Sequence, residues 1–135
     1  MPHFSVRSRE RLLTCHSKWI HVLSEVIRHF DFAVLCGHRT EAEQNAAHAE
    51  GRSQLQWPNS KHNTYPSLAV DIAPWPIDWT DEKRFALLAG AVIYAAAERG
   101  IVVRWGGDWD RDTRTTDNRF NDLPHFEIVS DPDAL

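Results

Sequence analysis

A histidine in a loop and an aspartate in the strand that follows it could together hold a metal ion. His62 falls in residues 52–68, a stretch rich in Pro, Asn and Ser that predicts a loop. Asp71 lies in A-V-D-I-A, residues 69–73, which predicts a short strand whose apolar neighbours face the core while Asp71 faces the other way. A carboxylate amid apolar residues costs free energy unless it is paired or bound to a metal. The alternative role for Asp71 is a pair with an arginine or a cap of the loop.

A second histidine stands at the start of the last predicted strand, HFEIV, residues 125–129. His125 and Glu127 share one face of this strand, and the apolar residues share the other. Pro124 keeps the residue before it extended, so Asp122 and His125 would flank a stiff turn that leads into the strand. His125 could then reach a metal held by a neighbouring strand, and Asp122 would stand close by without having to be a ligand.

Two histidines and one aspartate form the ligand set of a catalytic zinc site. His62, Asp71 and His125 supply nitrogen and oxygen donors and leave one position for water, whereas structural zinc sites are closed by four protein ligands. Zinc lowers the pKa of its bound water to about 7. A carboxylate that is not a ligand can take the proton of this water, and Asp122 fits that role. The cofactor that we predict is therefore Zn²⁺.

Arg39 is a further candidate for catalysis. It follows the strand predicted for FAVLCG, residues 32–37, and precedes Thr40, which T-E-A-E predicts to cap a helix together with Glu43. A guanidinium at this position could stabilise an oxyanion or bind a substrate carboxylate. Pairing of Arg39 with Glu41 or Glu43 is the structural alternative, and we favour the functional role.

The other histidines, the cysteines and the tryptophans carry weaker patterns. Six histidines have no partner at a suitable spacing and are expected on surfaces or helix faces: His3, His16, His21, His29, His38 and His48. Cys15 and Cys36 lie in apolar stretches without a second cysteine at metal-ligand spacing, so we expect buried free thiols. Four tryptophans near Gly and Pro are compatible with core packing or with the walls of a binding groove. They are Trp75, Trp79, Trp105 and Trp109.

The order of helical and strand patterns predicts an α+β fold with helices packed on a small, mainly antiparallel sheet. The predicted helices run from Ser8 to Phe30, from Thr40 to Gly51 and from Thr80 to Arg99. The predicted strands are residues 32–37, 69–73, 101–105 and 125–129, and a long polar loop covers residues 106–121. We expect one domain over residues 1–135, with a frayed tail at residues 130–135.

Composition narrows the classes of partner. The chain has 15 lysine and arginine residues against 19 acidic ones, which argues against nucleic acid as a partner and against a metal-dependent nuclease. No apolar run is long enough to span a bilayer, so we expect no stable membrane insertion. The N-terminal segment lacks an uninterrupted apolar core and a small-residue cleavage site, which predicts synthesis in the cytoplasm without a signal peptide. We expect a monomer.

The ordered motifs resemble those of the zinc D-alanyl-D-alanine carboxypeptidase and L-alanyl-D-glutamate endopeptidase family, in particular small single-domain bacteriophage endolysins. The S-x-H…A-x-D element of that family is matched by Ser60, His62, Ala69 and Asp71. Its acidic residue, three positions before a second histidine, is matched by Asp122 and His125.

Two more stretches are similar to this family. Gly37, Arg39 and Thr40 match its G-x-R-T element, and W-G-G-D-W at residues 105–109 is similar to the stretch before its final motif. On this resemblance we assign substrate binding to Ser60, Trp105 and Asp108. The interval between His62 and Asp71 is longer than in many members, and the excess in N-T-Y-P-S predicts a loop extension.

The resemblance implies zinc-dependent hydrolysis of a stem-peptide bond in peptidoglycan, on an α+β fold shared with Hedgehog signalling domains. An endolysin-type L-alanyl-D-glutamate endopeptidase is the leading interpretation. Such an enzyme can wait in the host cytoplasm for a membrane pore and then act on periplasmic peptidoglycan to lyse the cell. A D-Ala-D-Ala carboxypeptidase or dipeptidase of the same family is the nearest alternative, because specificity lies in loop geometry. A non-catalytic zinc-containing cell-wall-binding module is the alternative from another class, and Asp122 counts against it.

Overall fold

The computed structural model describes residues 2–129, which form helices and short strands. The helices are α1 (Val6–Leu12), α2 (Ser17–Val26), α3 (Glu41–Ala49) and α4 (Glu82–Glu98), with a 3₁₀ helix at Lys61–Asn63. The strands are β1 (Phe32–Cys36), β2 (Ala69–Pro74), β3 (Val103–Gly106) and β4 (Asp122–Ile128). All pairings are antiparallel, in the order β1-β2-β4-β3. The predicted α+β fold is confirmed, and the predicted frayed tail lies outside the described residues.

One face of the sheet is covered by helices and forms the core. Helix α4 packs against α2 and against strands β2, β3 and β4. The fully buried side chains include Trp19 from α2, Leu88 from α4 and Phe126 from β4. Each contributes roughly 1.5–3 kcal/mol by leaving water. Because strand residues alternate between faces, this packing leaves the residues between the core positions of β2 and β4 on the opposite face of the sheet.

The single helix predicted from Ser8 to Phe30 is wrong, because two helices meet there at a tight turn. Ser5, not Ser8, caps α1, and the hydroxyl of Ser8 is buried and accepts a hydrogen bond from the amide of Val34. The chain between α1 and α2 pairs with Ser67, whose backbone exchanges hydrogen bonds with Thr14 and His16. This long-range contact interrupts the helix, and the residues near the break contain no pattern that predicts it.

The limits of α3 and α4 follow local signals. Thr40 and Glu43 form the predicted capping box: each side chain accepts a hydrogen bond from the other residue's amide. Gly51 follows α3 with a φ of 77°, a conformation that glycine adopts without steric cost. Helix α4 begins later than predicted, at Glu82, because Asp81 is the residue that caps it.

Strand β4 begins earlier than predicted, so Asp122 and Pro124 belong to the strand rather than to a turn before it. Pro124 is paired with neither neighbour in the register: pairing with β2 starts at His125, and pairing with β3 shifts between Trp105 and Gly106. The lack of an amide hydrogen at Pro124 therefore removes no ladder hydrogen bond. Among residues 2–129, no helix has the length and apolar character that crossing a membrane requires.

Candidate metal centre

Strands β2 and β4 bring the predicted aspartate and one predicted histidine together. Asp71 and His125 are direct partners in the antiparallel register. Residues directly opposite in such a pair have Cβ atoms about 4.5–5.5 Å apart, so their side chains meet on the same face. Nδ1 of His125 lies 3.2 Å from Oδ1 of Asp71, on the face of the sheet opposite the one that α4 covers.

His62 reaches the same point from the 3₁₀ helix. Ser60 caps this helix, since its hydroxyl accepts a hydrogen bond from the amide of His62 and its own amide donates to the side chain of Asn63. The carbonyl of His62 accepts from the amide of Arg39, which ties the loop to the start of α3. The extra residues after His62 form a surface loop, where Tyr65 is 71% exposed, and Nε2 of His62 contacts Asp71.

The three predicted ligand atoms form a nearly equilateral triangle. Nε2 of His62 lies 3.2 Å from Oδ1 of Asp71 and 3.3 Å from Nδ1 of His125, and the third edge is the 3.2 Å between Asp71 and His125. Hydrogen bonds alone cannot satisfy all three contacts. If one ring nitrogen carries a hydrogen, the contact between the other ring nitrogen and Asp71 has none. If both carry one, the two N–H groups point at each other. Tetrahedral zinc with bonds of about 2.0–2.2 Å sets its ligand atoms about 3.3–3.6 Å apart. The triangle therefore fits a small tetrahedral cation.

Hydrogen bonds on the far side of each ring fix the tautomers that a metal needs. Nδ1 of His62 lies 2.7 Å from the carbonyl oxygen of Gly37, which can only accept, so this nitrogen carries the hydrogen. Nε2 of His125 lies 2.9 Å from Oε1 of Glu127 and donates to that carboxylate. When each imidazole is neutral, as metal coordination requires, the nitrogen that faces Asp71 carries the lone pair.

The protonation equilibria of the three residues are tightly linked. Burial by itself would lower the pKa of His62, but the charge and hydrogen bond of Asp71 raise this pKa to about 10. Burial likewise opposes protonation of His125, but hydrogen bonds to Asp71 and Glu127 raise its pKa to about 9. Burial would raise the pKa of Asp71, and the two histidines hold that pKa well below its usual range. The site thus attracts positive charge, which a proton or a metal ion can supply.

Cys36 is a possible metal ligand that the sequence did not reveal. The ligand atoms of Cys36, His62 and Asp71 lie within 4.8 Å of one another. A register shift after Val34 brings Cys36 opposite Asp71. Its sulfur is 3.8 Å from Nδ1 of His62, the nitrogen that donates to Gly37 and faces away from the triangle. The triangle that includes His125 is the tighter grouping, and a lone cysteine at a strand irregularity gives no recognisable signal in the sequence.

Arg39 binds Asp71 rather than Glu41 or Glu43. Its guanidinium lies 3.2 Å from Oδ2 of Asp71 and 3.3 Å from Oε1 of the buried Gln44, so Oδ1 of Asp71 stays free for the metal position. The Arg39 side chain is 15% exposed and lines the same cleft as the triangle. The electrostatic role that we predicted for Arg39 is compatible with this position.

Asp122 lines the same cleft as His62, Asp71 and His125. Burial raises its pKa, and the charge of Asp71 adds to this effect. Gly106 lies against the backbone carbonyl of Asp122 so closely that any side chain at position 106 would collide with it. This close approach fixes where Asp122 enters strand β4.

The cleft over the triangle has a volume of about 1060 Å³ and an aromatic wall. Trp109 stacks on Phe120, its ring lies 5.5 Å from that of His125, and Trp79 also lines the cleft. Among the residues predicted to bind substrate, Ser60 lines this cleft, and Trp105 and Asp108 do not. They border a separate depression instead. Alternation along β3 directs Trp105 into the core, where it stacks on Phe126.

Comparisons with known proteins agree with this geometry. The family model described as phage L-alanyl-D-glutamate peptidase matches residues 1–129. The L-alanyl-D-glutamate peptidase of Escherichia phage T5 is 39% identical over 85 residues, which are 60% of this chain and 61% of that protein. The crystal structure of the Serratia marcescens L-Ala D-Glu endopeptidase ChiX matches with a TM-score of 0.74 and 31% identity, over 94% of this chain and 90% of that one.

Proposed function

The chain belongs to the phage L-alanyl-D-glutamate peptidase family, and we propose that it is a zinc-dependent endopeptidase that cuts the L-alanyl-D-glutamate bond of peptidoglycan stem peptides. The observation that carries this proposal is the triangle of His62, Asp71 and His125 at the base of an open cleft. Three protein donors leave one position of a tetrahedral ion for water, which is the arrangement of catalytic zinc sites.

The residues around the triangle suit peptide hydrolysis. Bound zinc would supply a Lewis acid and a water whose pKa is about 7. Asp122 would accept the proton of the attacking water and pass it to the leaving amine. Its raised pKa suits this second step, because a stronger conjugate base holds the proton until the amine can take it. Arg39 would place its guanidinium against the oxygen on which negative charge develops.

The cleft has the size and the chemistry for a short peptide with free carboxylates. Residues from α3, the 3₁₀ helix, β2 and β4 all line the cleft. Its cationic side chains, Arg39, Arg52, Lys61 and Arg119, could bind the carboxylates that D-glutamate leaves free in the stem peptide. The aromatic wall would pack against the apolar parts of the chain.

We further propose the biological setting that this activity serves. A peptidoglycan peptidase of a phage acts on the host cell wall at lysis, so we place the site of action in the periplasmic peptidoglycan. The stem peptide is then the partner, and we expect the chain to act as a monomer.

The test is a digestion of purified peptidoglycan, with the released fragments identified by mass spectrometry. We expect new carboxyl ends at L-Ala and new amino ends at D-Glu, with no release after removal of metal by a chelator and renewed release after addition of zinc. Release of terminal D-Ala instead would assign the chain to the carboxypeptidase branch of the family. Stoichiometric zinc and cell-wall binding without any fragment would favour the non-catalytic module.

A further inference from the structure

We infer that Glu127 is a positioning residue that holds His125 in the orientation needed to bind the metal. The inference rests on the metal site proposed above and assigns a function to a buried carboxylate outside the triangle. Glu127 is 8% exposed, and its Oε1 accepts a hydrogen bond from Nε2 of His125 at 2.9 Å. Burying a carboxylate costs free energy unless the carboxylate is paired. We therefore expect Glu127 to have a function beside His125.

Strand pairing within the sheet determines where Glu127 lies relative to His125. Glu127 and His125 are two residues apart on β4 and therefore share a face. In the register Glu127 lies between Ala69 on β2 and Arg104 on β3. Ala69, the partner of Glu127 on β2, carries only a methyl group. The guanidinium of Arg104 lies 3.5 Å from Oε2 and holds the other oxygen of the carboxylate.

The contact decides which nitrogen of His125 faces the metal position. An imidazole ring can rotate about its χ2 bond, and rotation would point Nδ1 away from Asp71. A charge-assisted hydrogen bond is roughly twice as strong as a neutral one, so the carboxylate resists this rotation more than a carbonyl would. It also makes the lone pair on Nδ1 more basic. His62 has the carbonyl of Gly37 at the equivalent place, so the two ligand histidines differ in how firmly they are held.

The same geometry separates Glu127 from the proton-transfer step. Its Oε1 is occupied by His125 and its Oε2 by Arg104. It lies beyond Nε2, on the side of the ring away from the Nδ1 that completes the triangle. Glu127 lines the same cleft as the triangle, but a carboxylate held at both oxygens is suited to supporting a ligand and not to accepting a proton.

The experiment measures zinc affinity, by competition with a chromophoric chelator, for the parent chain, Glu127→Ala, Glu127→Gln and the control Glu43→Gln. Loss of such a partner typically weakens metal binding about 10–100-fold, which we expect for Glu127→Ala. Glu127→Gln keeps an acceptor oxygen without the charge, so we expect an intermediate affinity. Glu43→Gln removes a negative charge from the same cleft without contacting a ligand, and we expect the parent affinity.

Two further readouts separate positioning from a purely structural role. We expect the rise in melting temperature on zinc addition to shrink in both Glu127 variants, and the visible spectrum of the cobalt(II)-substituted protein to change. Parent affinity in Glu127→Ala, or a lower melting temperature with an unchanged rise on zinc addition, would overturn the inference. A parent chain that takes up no zinc would instead refute the metal site itself, and the inference with it.

Discussion

Nδ1 of His125 and Oδ1 of Asp71 lie 3.2 Å apart because their residues are direct partners on strands β4 and β2. The spacing of these two predicted ligands is thus set by backbone pairing rather than by a flexible loop. A slip of one residue in this register would turn one of the two side chains into the core and abolish the site. Only His62 depends on a loop, and the 3₁₀ helix with its Ser60 cap restricts that loop.

The first prediction concerns the identity of the metal ligands. We expect one zinc per parent chain after dialysis, and loss of zinc from His62→Ala and from His125→Ala, because two donors hold the ion far more weakly than three. Cys36→Ser serves as the control and should keep its zinc, since the sulfur contacts Nδ1 of His62, the ring nitrogen that does not belong to the triangle. Elemental analysis measures each content. Full zinc in the double histidine variant would refute the ligand set, and loss in Cys36→Ser would move the third ligand to Cys36.

The second prediction concerns opposite pH dependences of the zinc-free and zinc-bound proteins. Burial opposes protonation of His62 and His125, but Asp71 raises the pKa of His62 from 6.5 to about 10, and Asp71 together with Glu127 raises that of His125 from 6.5 to about 9. A group whose pKa is raised on folding stabilises the fold fully below its unfolded pKa and loses that contribution as the pH rises through its folded pKa. The zinc-free protein should therefore lose stability from about pH 6.5 upward.

Zinc reverses this trend, because it binds only deprotonated imidazoles. The rise in melting temperature on zinc addition should grow as the pH rises toward about 9 and about 10, the pKa values of His125 and His62, because protons compete less and less for the imidazoles. Asp71 does not disturb this window, since its pKa is lowered by the histidines and its contribution is lost only in stronger acid. Thermal melts across this range, with and without zinc, provide the measurement. Parallel pH profiles for the two forms would contradict the assignment of the histidines as ligands.

The structural features that could be predicted from the sequence depend on residues that are close together in the chain. The capping box at Thr40 involves residues three apart, and the alternation in A-V-D-I-A sets Asp71 apart within a single strand. Each of these patterns needs only a few neighbouring residues to form. The pairing of β2 with β4, which brings Asp71 and His125 together, is a long-range contact that these local patterns do not specify.

The features that the sequence missed depend on distant contacts. The break between α1 and α2 requires Ser67, and the approach of Cys36 to Asp71 requires a register shift in β1. The roles of Trp105 and Trp109 could not be separated either, because both lie in the same Gly- and Asp-rich stretch. Only the observed strand directs Trp105 into the core, and only the folded loop stacks Trp109 on Phe120 beside His125.

The third prediction is that Arg39→Ala loses activity and keeps its fold. The guanidinium sits in the cleft and binds the Asp71 oxygen that the triangle does not use. Removing one donor that stabilises developing charge typically lowers kcat about 10²–10³-fold. Bound zinc still neutralises Asp71, so the melting temperature of the zinc-bound variant should change little. Arg28→Ala, which removes only an exposed pair with Glu25, is the control and should keep full activity. A large loss of stability with full activity per folded molecule would make Arg39 structural.

The fourth prediction is that Asp122 is the general base and not a zinc ligand. Three donors are already supplied by His62, Asp71 and His125, and a fourth protein ligand would displace the water that must attack. Asp122 enters the cleft from the same strand as His125, and the close approach of Gly106 fixes its backbone. Its position thus allows it to face the open side of the metal.

Asp122→Asn keeps the size of the side chain and removes its basicity. General-base catalysis contributes about 10²–10⁴-fold, so we expect kcat to fall on that scale while zinc content and melting temperature stay at the parent values. Because burial raises the pKa of Asp122, the acid limb of the parent's pH–rate profile should lie above the usual pKa of a carboxyl group, and this limb should vanish in the variant. Loss of zinc from Asp122→Asn would make this residue a ligand. Activity close to that of the parent would place the base elsewhere in the cleft. Glu127 is already held by His125 and Arg104. The next residues to test would therefore be other acidic residues that line the cleft, such as Asp110 or Asp117.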